Sequence, residues 1–203
     1  MKHRFLLILF LAFGISANAQ IKNGIRISSY TDNHSSSAQV DFIKNHFDYV
    51  MTPVLSSEMR DKYSTVELLL YRSIRGAWAD TSQFDWNHLD TCENMFCHSD
   101  SAVQDTSTRI MTIYSSYLMD GKDLISPDAP DATDHWMNYY AETASNQVYT
   151  YNYDGLFMDS AGHKLNTDEL NDPMPWDYSS ESWRDARYTD LSFVKSYLPD
   201  KLV

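Results

Sequence analysis

The run "YDGLFMDS", residues 153–160, delivers a carboxylate to the end of an apolar stretch. Leu156, Phe157 and Met158 are what a short strand is made of, and side chains alternate along a strand. Leu156 and Met158 therefore share one face, and Phe157 and Asp159 share the other. If the first face packs on helices, Asp159 stands free at the C-terminal tip. A carboxylate held there can serve as a catalytic acid, a nucleophile or a stabiliser of a cationic transition state. The competing reading is a turn or helix-capping aspartate, which is common after strands. Asp154 precedes Gly155, and Asp-Gly is a strong turn signal, so Asp154 reads as structural.

Other polar and aromatic residues fall where strands should end. Tyr30 and Asp32 follow the first apolar run, and Tyr71, Arg72 and Arg75 surround the end of another. These are candidates for holding a substrate; packing and solvation at a rim are the alternative. Trp176, in the polar loop after Asp159, is a candidate for stacking on a sugar ring. Cys92 and Cys97 in "TCENMFC" can close a small disulfide in an exported protein, or remain thiols. Two cysteines without a second pair do not make a zinc site. His34 and His163 are isolated, and Asp159 with His163 lacks a third ligand of telling spacing, so no metal is assigned. No G-x-G-x-x-G, P-loop or G-x-S-x-G pattern is present, and no cofactor is expected.

The elements that must position these residues alternate between strand and helix. "IRISSY" (residues 25–30), "DYVMTP" (48–53) and "VELLLYRSI" (66–74) read as strands, the last as one covered by helices. "SSSAQVDFIKNHF" reads as a helix with Val40, Ile43 and Phe47 on one face. "DHWMNYYAETASNQVY" places Trp136, Tyr140, Ala144 and Val148 at i+4 steps. "WRDARYTDLSFVKSYL" buries Trp183, Leu191, Val194 and Leu198. Between Gly76 and Asp123 the pattern loosens; residues 110–114 form either a strand of the main sheet or a hairpin in a long insertion. Such alternation implies a parallel sheet with right-handed crossovers, either doubly wound or a (β/α)8 barrel. Long loops after the strands favour the barrel, whose active site is built from them.

The run "YDGLFMDS", after a helix beginning "DHWMNYY" and preceded by "YLMD", resembles glycoside-hydrolase-like family 15, and more loosely the endo-α-1,4-polygalactosaminidase barrels. The resemblance implies a (β/α)8 barrel whose rim carboxylates cleave glycosidic bonds. On it, Asp159 matches the catalytic rim carboxylate, and Asp120 matches the aspartate of the "MD" element, a substrate-binding position. Two carboxylates flanking the bond are needed. A barrel that keeps the cleft without the acid/base pair, a non-catalytic carbohydrate-binding module, is the alternative. The count of four or five strand–helix units implies an incomplete barrel over residues 20–203, since eight units are needed for closure.

The chain carries 16 basic and 28 acidic residues. Lys2, His3 and Arg4, the apolar run 5–13 and Ala17-Asn18-Ala19 form a signal peptide over residues 1–19. Without Lys2 and Arg4 the count is 14 basic against 28 acidic residues. Such a chain repels phosphate backbones, so nucleic acid is not an expected partner; a carbohydrate is the partner that the glycoside-hydrolase-like resemblance implies. No later segment is apolar for long enough to span a bilayer, so a secreted or periplasmic protein is expected. N-terminal sequencing of the exported protein should begin at Gln20; retention of Met1 would contradict the leader.

Overall fold

The computed structural model describes residues 28–30, 36–79, 83–122, 124, 126–162, 164–165, 167–171 and 173–203. The leader, the Gln20 junction, Asp32, His34 and His163 lie outside them. Six strands are described: β1 (Ser28–Tyr30), β2 (Tyr49–Thr52), β3 (Glu67–Ser73), β4 (Gly76–Ala77), β5 (Tyr117–Leu118) and β6 (Gly155–Asp159). The α-helices are α1 (Ser37–His46), α2 (Glu58–Lys62), α3 (Trp86–Leu89), α4 (Trp136–Thr150) and α5 (Ser180–Tyr197).

β1, β2, β3 and β6 form one parallel sheet in that order. β4 and β5 pair antiparallel outside it. Residues 110–114 join neither as a strand. Met111 bridges Tyr117 and Thr112 bridges Leu170, so this segment belongs to an insertion rather than to the main sheet. Beyond β6, Leu202 makes a parallel bridge to Gly155, with Leu156 N–H donating to the Leu202 carbonyl at 2.9 Å. The fold is thus mixed α/β around a parallel sheet. The closure of a (β/α)8 barrel is not observed among the described residues, where the sheet is open.

The helices start where the sequence caps them. Ser36 and Gln39 make a reciprocal capping box at α1, and Ser179 and Ser182 do the same at α5. The apolar stripe of α4 behaves as its spacing requires: Trp136, Tyr140, Ala144 and Val148 are all fully buried. They pack with Val50, Leu68, Leu70 and Leu156 from one face of the sheet. The other face is different. Tyr49, Met51, Leu69 and Tyr71 are only partly buried, and Phe157 is 38% exposed. Gly155 is needed for close approach, not for a turn. Its φ is not positive, and a Cβ there would lie 2.3 Å from the Leu202 carbonyl oxygen. Asp154 ties the sheet's lower end, taking an ion pair from Arg60 and the Leu68 N–H at 2.8 Å.

α5 departs from the expected pattern. Leu191 is half-buried, and Arg187 and Asp190 occupy the interior instead, 1% and 0% exposed. Their side chains pair at 2.8 Å. Gly121 makes room for them: a Cβ there would lie 1.6 Å from the Arg187 guanidinium. Burial pushes the Asp190 carboxyl up to about 7, and the nearby Asp120 charge adds to this, while Arg187 pulls the other way. A folded-state pKa above the unfolded one means that the native state holds the extra proton. Asp190 should therefore favour folding at low pH, with that contribution lost as pH rises from about 4 to about 7. Denaturant titrations of the parent and Asp190→Asn should diverge across this window by a few kcal/mol, an order of magnitude set by about 1.4 kcal/mol per pH unit. A difference that stays constant from pH 4 to 8 would show that Asp190 does not titrate there.

Candidate active site

The parallel strands present their C-terminal ends on one side, and a cleft lies there. Ser73 at the end of β3 pairs in register with Asp159 at the end of β6. The N–H of Ile74 extends the ladder to the Asp159 carbonyl at 3.1 Å. Around these two ends lies a cleft of about 370 Å³. It is lined by Tyr71, Ser73, Arg75 and Gly76 from the end of β3 and just beyond it, by Asp159 and Ser160 from the end of β6, and by Trp78, Tyr114, Ser116 and Glu169 from the loops.

Local chemistry aims each group. The Tyr71 hydroxyl donates to Asp159 Oδ2, and the Tyr71 ring stacks on Phe157 with centroids 5.9 Å apart. Ser160 N–H folds back to Asp159 Oδ1 at 2.7 Å. That turn puts Ser160 at φ 62°, in the left-handed region where a non-glycine residue costs about 1–2 kcal/mol. Both oxygens of Asp159 thus accept hydrogen bonds, and the strained turn fixes the carboxylate at the rim. Glu169 reaches the cleft from the 3₁₀ turn Thr167–Glu169, where Arg75 holds it at 2.6 Å. Trp78 is half-buried and its indole N–H donates to the Tyr114 carbonyl at 3.0 Å. The cleft therefore brings together two carboxylates, a cation and several aromatic rings.

The residues expected from the sequence divide. Asp159, Tyr71 and Arg75 meet in the cleft. Arg72 does not. Strand alternation sends it to the helix side, where it is fully buried and bonds Gln147 Oε1 at 3.0 Å and the Pro53 carbonyl at 3.1 Å. Burial drags its guanidinium down to about 10. Its placement as a substrate ligand is corrected to a link between β2, β3 and α4. Asp120 lies outside the cleft lining; its Oδ1 accepts from the Tyr178 hydroxyl and from Lys122 N–H at 2.8 Å. Trp176 is 51% exposed but also outside the lining. Tyr30 closes β1, and Asp32 lies outside the described residues.

Cys92 and Cys97 are free thiols, not a disulfide. Cys92 packs in the core between sheet and helices, whereas Cys97 packs in a second cluster with Ile110, Leu118 and Trp183. The extended backbone at Phe96 and the pairing of Cys97 N–H with the Leu118 carbonyl direct the two side chains into separate cores. Burial pushes both thiols up.

Sequence reasoning missed Glu169 and Trp78. Glu169 sits in the polar run "NTDELNDP", in which nothing but tertiary contact with Arg75 distinguishes it from Asp168.

No protein-family profile matches the chain, and no curated protein matches it in sequence. Solved structures do resemble it. The glycoside hydrolase domain of PelA from Pseudomonas aeruginosa superposes with a TM-score of 0.50 at 16% identity, over 88% of this chain and 57% of that one. A GH31 α-xylosidase from a soil metagenome, solved with xylose, gives a TM-score of 0.49 at 8% identity, over 86% and 28%. This chain thus spans little more than half the length of the PelA domain. The fold is similar to that of the PelA domain over most of this chain. No helix among the described residues is long and apolar enough to cross a membrane.

The Arg75–Glu169 pair is 11% and 28% exposed, well enough shielded to be measurable. A double-mutant cycle with Arg75→Met and Glu169→Gln should give a coupling of about 1 kcal/mol or more. Zero coupling would mean that the pair does not anchor the turn carrying Glu169.

Proposed function

We propose that this chain is the catalytic portion of an exported glycoside hydrolase built on a (β/α)8 barrel, with Asp159 and Glu169 as its paired carboxylates. The observation that carries the reading is the cleft at the C-terminal ends of β3 and β6, which holds both carboxylates with Trp78, Tyr71 and Tyr114. Barrel enzymes bind substrate at that end of their strands. The parallel order β1–β2–β3–β6, continued by Leu202, is consistent with successive barrel strands. So is the sheet's half-exposed face: Leu69, Tyr71 and Phe157 are residues suited to a barrel interior. The glycoside-hydrolase-like fold supports the reaction class.

Glycoside hydrolysis passes through an oxocarbenium-like transition state and uses one carboxyl group to protonate the leaving oxygen. The other stabilises or attacks the anomeric carbon, or activates water. Asp159, whose two oxygens accept from the Tyr71 hydroxyl and the Ser160 N–H, is the carboxylate held in place by its own strand end and is assigned as one member of this pair. Glu169 is assigned as its partner across the cleft. Trp78 offers an apolar ring face to a sugar in the cleft. A carbohydrate-binding module that does not cleave is the second reading; it is favoured by the Arg75 bond, which already occupies one oxygen of Glu169.

The test is a panel of polysaccharides and oligosaccharides, with reducing ends and the anomer of the first-formed product measured. On any substrate cleaved, Asp159→Asn should lower turnover by several orders of magnitude with the fold retained. Glu169→Gln should lower it by a comparable factor. Unchanged turnover in Asp159→Asn would remove Asp159 from catalysis. Saturable binding without product, in a cleft sensitive to Trp78→Ala, would establish the binding module instead.

A further inference from the structure

Away from the cleft, three ligand-type side chains converge at a place that no metal-ligand spacing marks. His88 lies in α3, Cys92 in the turn after it, and Asp134 at the end of the 3₁₀ turn Ala132–Asp134 that leads into α4. A ring nitrogen of His88, Cys92 Sγ and a carboxylate oxygen of Asp134 all lie within 4.8 Å of one another. None of the three lines the cleft.

We propose that His88, Cys92 and Asp134 form a site for a divalent transition-metal ion of borderline softness, zinc being the natural occupant. The geometry is close to what such an ion requires. Cys92 Sγ is 3.6 Å from Asp134 Oδ1. Tetrahedral zinc with a sulfur at about 2.3 Å and an oxygen at about 2.0 Å separates them by roughly 3.5 Å. A mixed nitrogen, sulfur and oxygen set suits zinc better than calcium or magnesium, which prefer oxygen alone.

The surroundings are those of an oriented ligand set. His88 Nε2 lies 2.9 Å from the Thr133 carbonyl, which can only accept, so Nε2 carries the hydrogen and Nδ1 the lone pair. Metal-ligating histidines generally fix the nitrogen that does not bind the ion in this way, and on that pattern Nδ1 would be the His88 ligand atom. The imidazole is further held against the Tyr139 ring, centroids 4.9 Å apart. Cys92 is 9% exposed, while His88 and Asp134 are half-buried, so an ion can enter from solvent. Binding would expel the thiol proton, leaving thiolate and carboxylate to neutralise the ion's two charges, with a neutral imidazole as third ligand. Water would complete the tetrahedron. The ion would tie the α3 turn to the start of α4, a cross-link between segments that no disulfide joins.

The experiment uses the full exported chain, stripped with chelator and titrated with zinc or cobalt. We expect one ion per chain by calorimetry, and with cobalt a thiolate-to-metal charge-transfer band in the near ultraviolet. Zinc in hundredfold excess over its dissociation constant should raise the unfolding temperature measurably. Cys92→Ser should abolish the charge-transfer band, and Cys97→Ser should leave it intact. Asp134→Asn, which is nearly isosteric, should weaken binding at least tenfold while the circular dichroism of the apo protein stays unchanged, so that lost affinity is not lost folding. Absence of a cobalt–thiolate band in the folded parent, or equal affinity in parent and Asp134→Asn, would overturn the site.

Discussion

The register of β6 on β3 sets the position of everything in the cleft. Leu70 lies opposite Leu156, Tyr71 opposite Phe157 and Ser73 opposite Asp159. Because side chains alternate, this pairing sends Leu68, Leu70 and Leu156 into the helices and Tyr71, Phe157 and Asp159 to the other face. A slip of one residue would exchange the faces, putting the carboxylate against α4 and the leucines in solvent. Burial of the leucine face fixes the register and therefore the position of Asp159. The Tyr71–Asp159 hydrogen bond follows from that register.

The other walls of the cleft hang on the insertion between β3 and α4 and on the loop after β6. Gly76 lets β4 lie against Ser116, where a Cβ would come within 2.8 Å of the serine oxygen. Trp78 is held by Tyr114, Glu169 by Arg75, and Thr112 meets Leu170 in a bridge. The two loops thus support each other above the strand ends. A small second core, built on Cys97, Ile110, Leu118, Tyr178 and Trp183, packs residues of this insertion with the start of α5.

What the sequence discloses depends on the range of the interaction. Periodicity marks α1, α4 and the strands because burial on one face is a local signal, and Asp159 is visible because it ends such a strand. Tyr71 and Arg72 look equivalent until alternation is applied; only one of two neighbours can face the cleft. Glu169 and Trp78 are hidden because their roles come from contacts with Arg75 and Tyr114, residues far away in sequence. In α5 the i+4 rule points to Leu191, but the space beside Gly121 admits the Arg187–Asp190 pair, which no apolar pattern can announce. Cysteine counting fails for the same reason: Cys92 meets Asp134 across 42 residues, and Cys97 turns into another core.

Electrostatics links these separate features. The chain has far more carboxylates than cations, and most of the described arginines are committed to internal ties. Arg60 serves Asp154 under the sheet, Arg109 holds Asp90 and Glu93 beside the α3 turn, and Arg187 meets Asp190 in the interior. Arg75 is the tie that reaches the cleft. Two carboxylates facing one cavity repel each other, and the repulsion grows as water is excluded. A guanidinium beside Glu169 offsets that cost, so that Asp159 and Glu169 can share the cleft without either being forced away from it. The same cation that anchors the Glu169 turn therefore also makes a paired-carboxylate cleft physically tenable in an acidic protein.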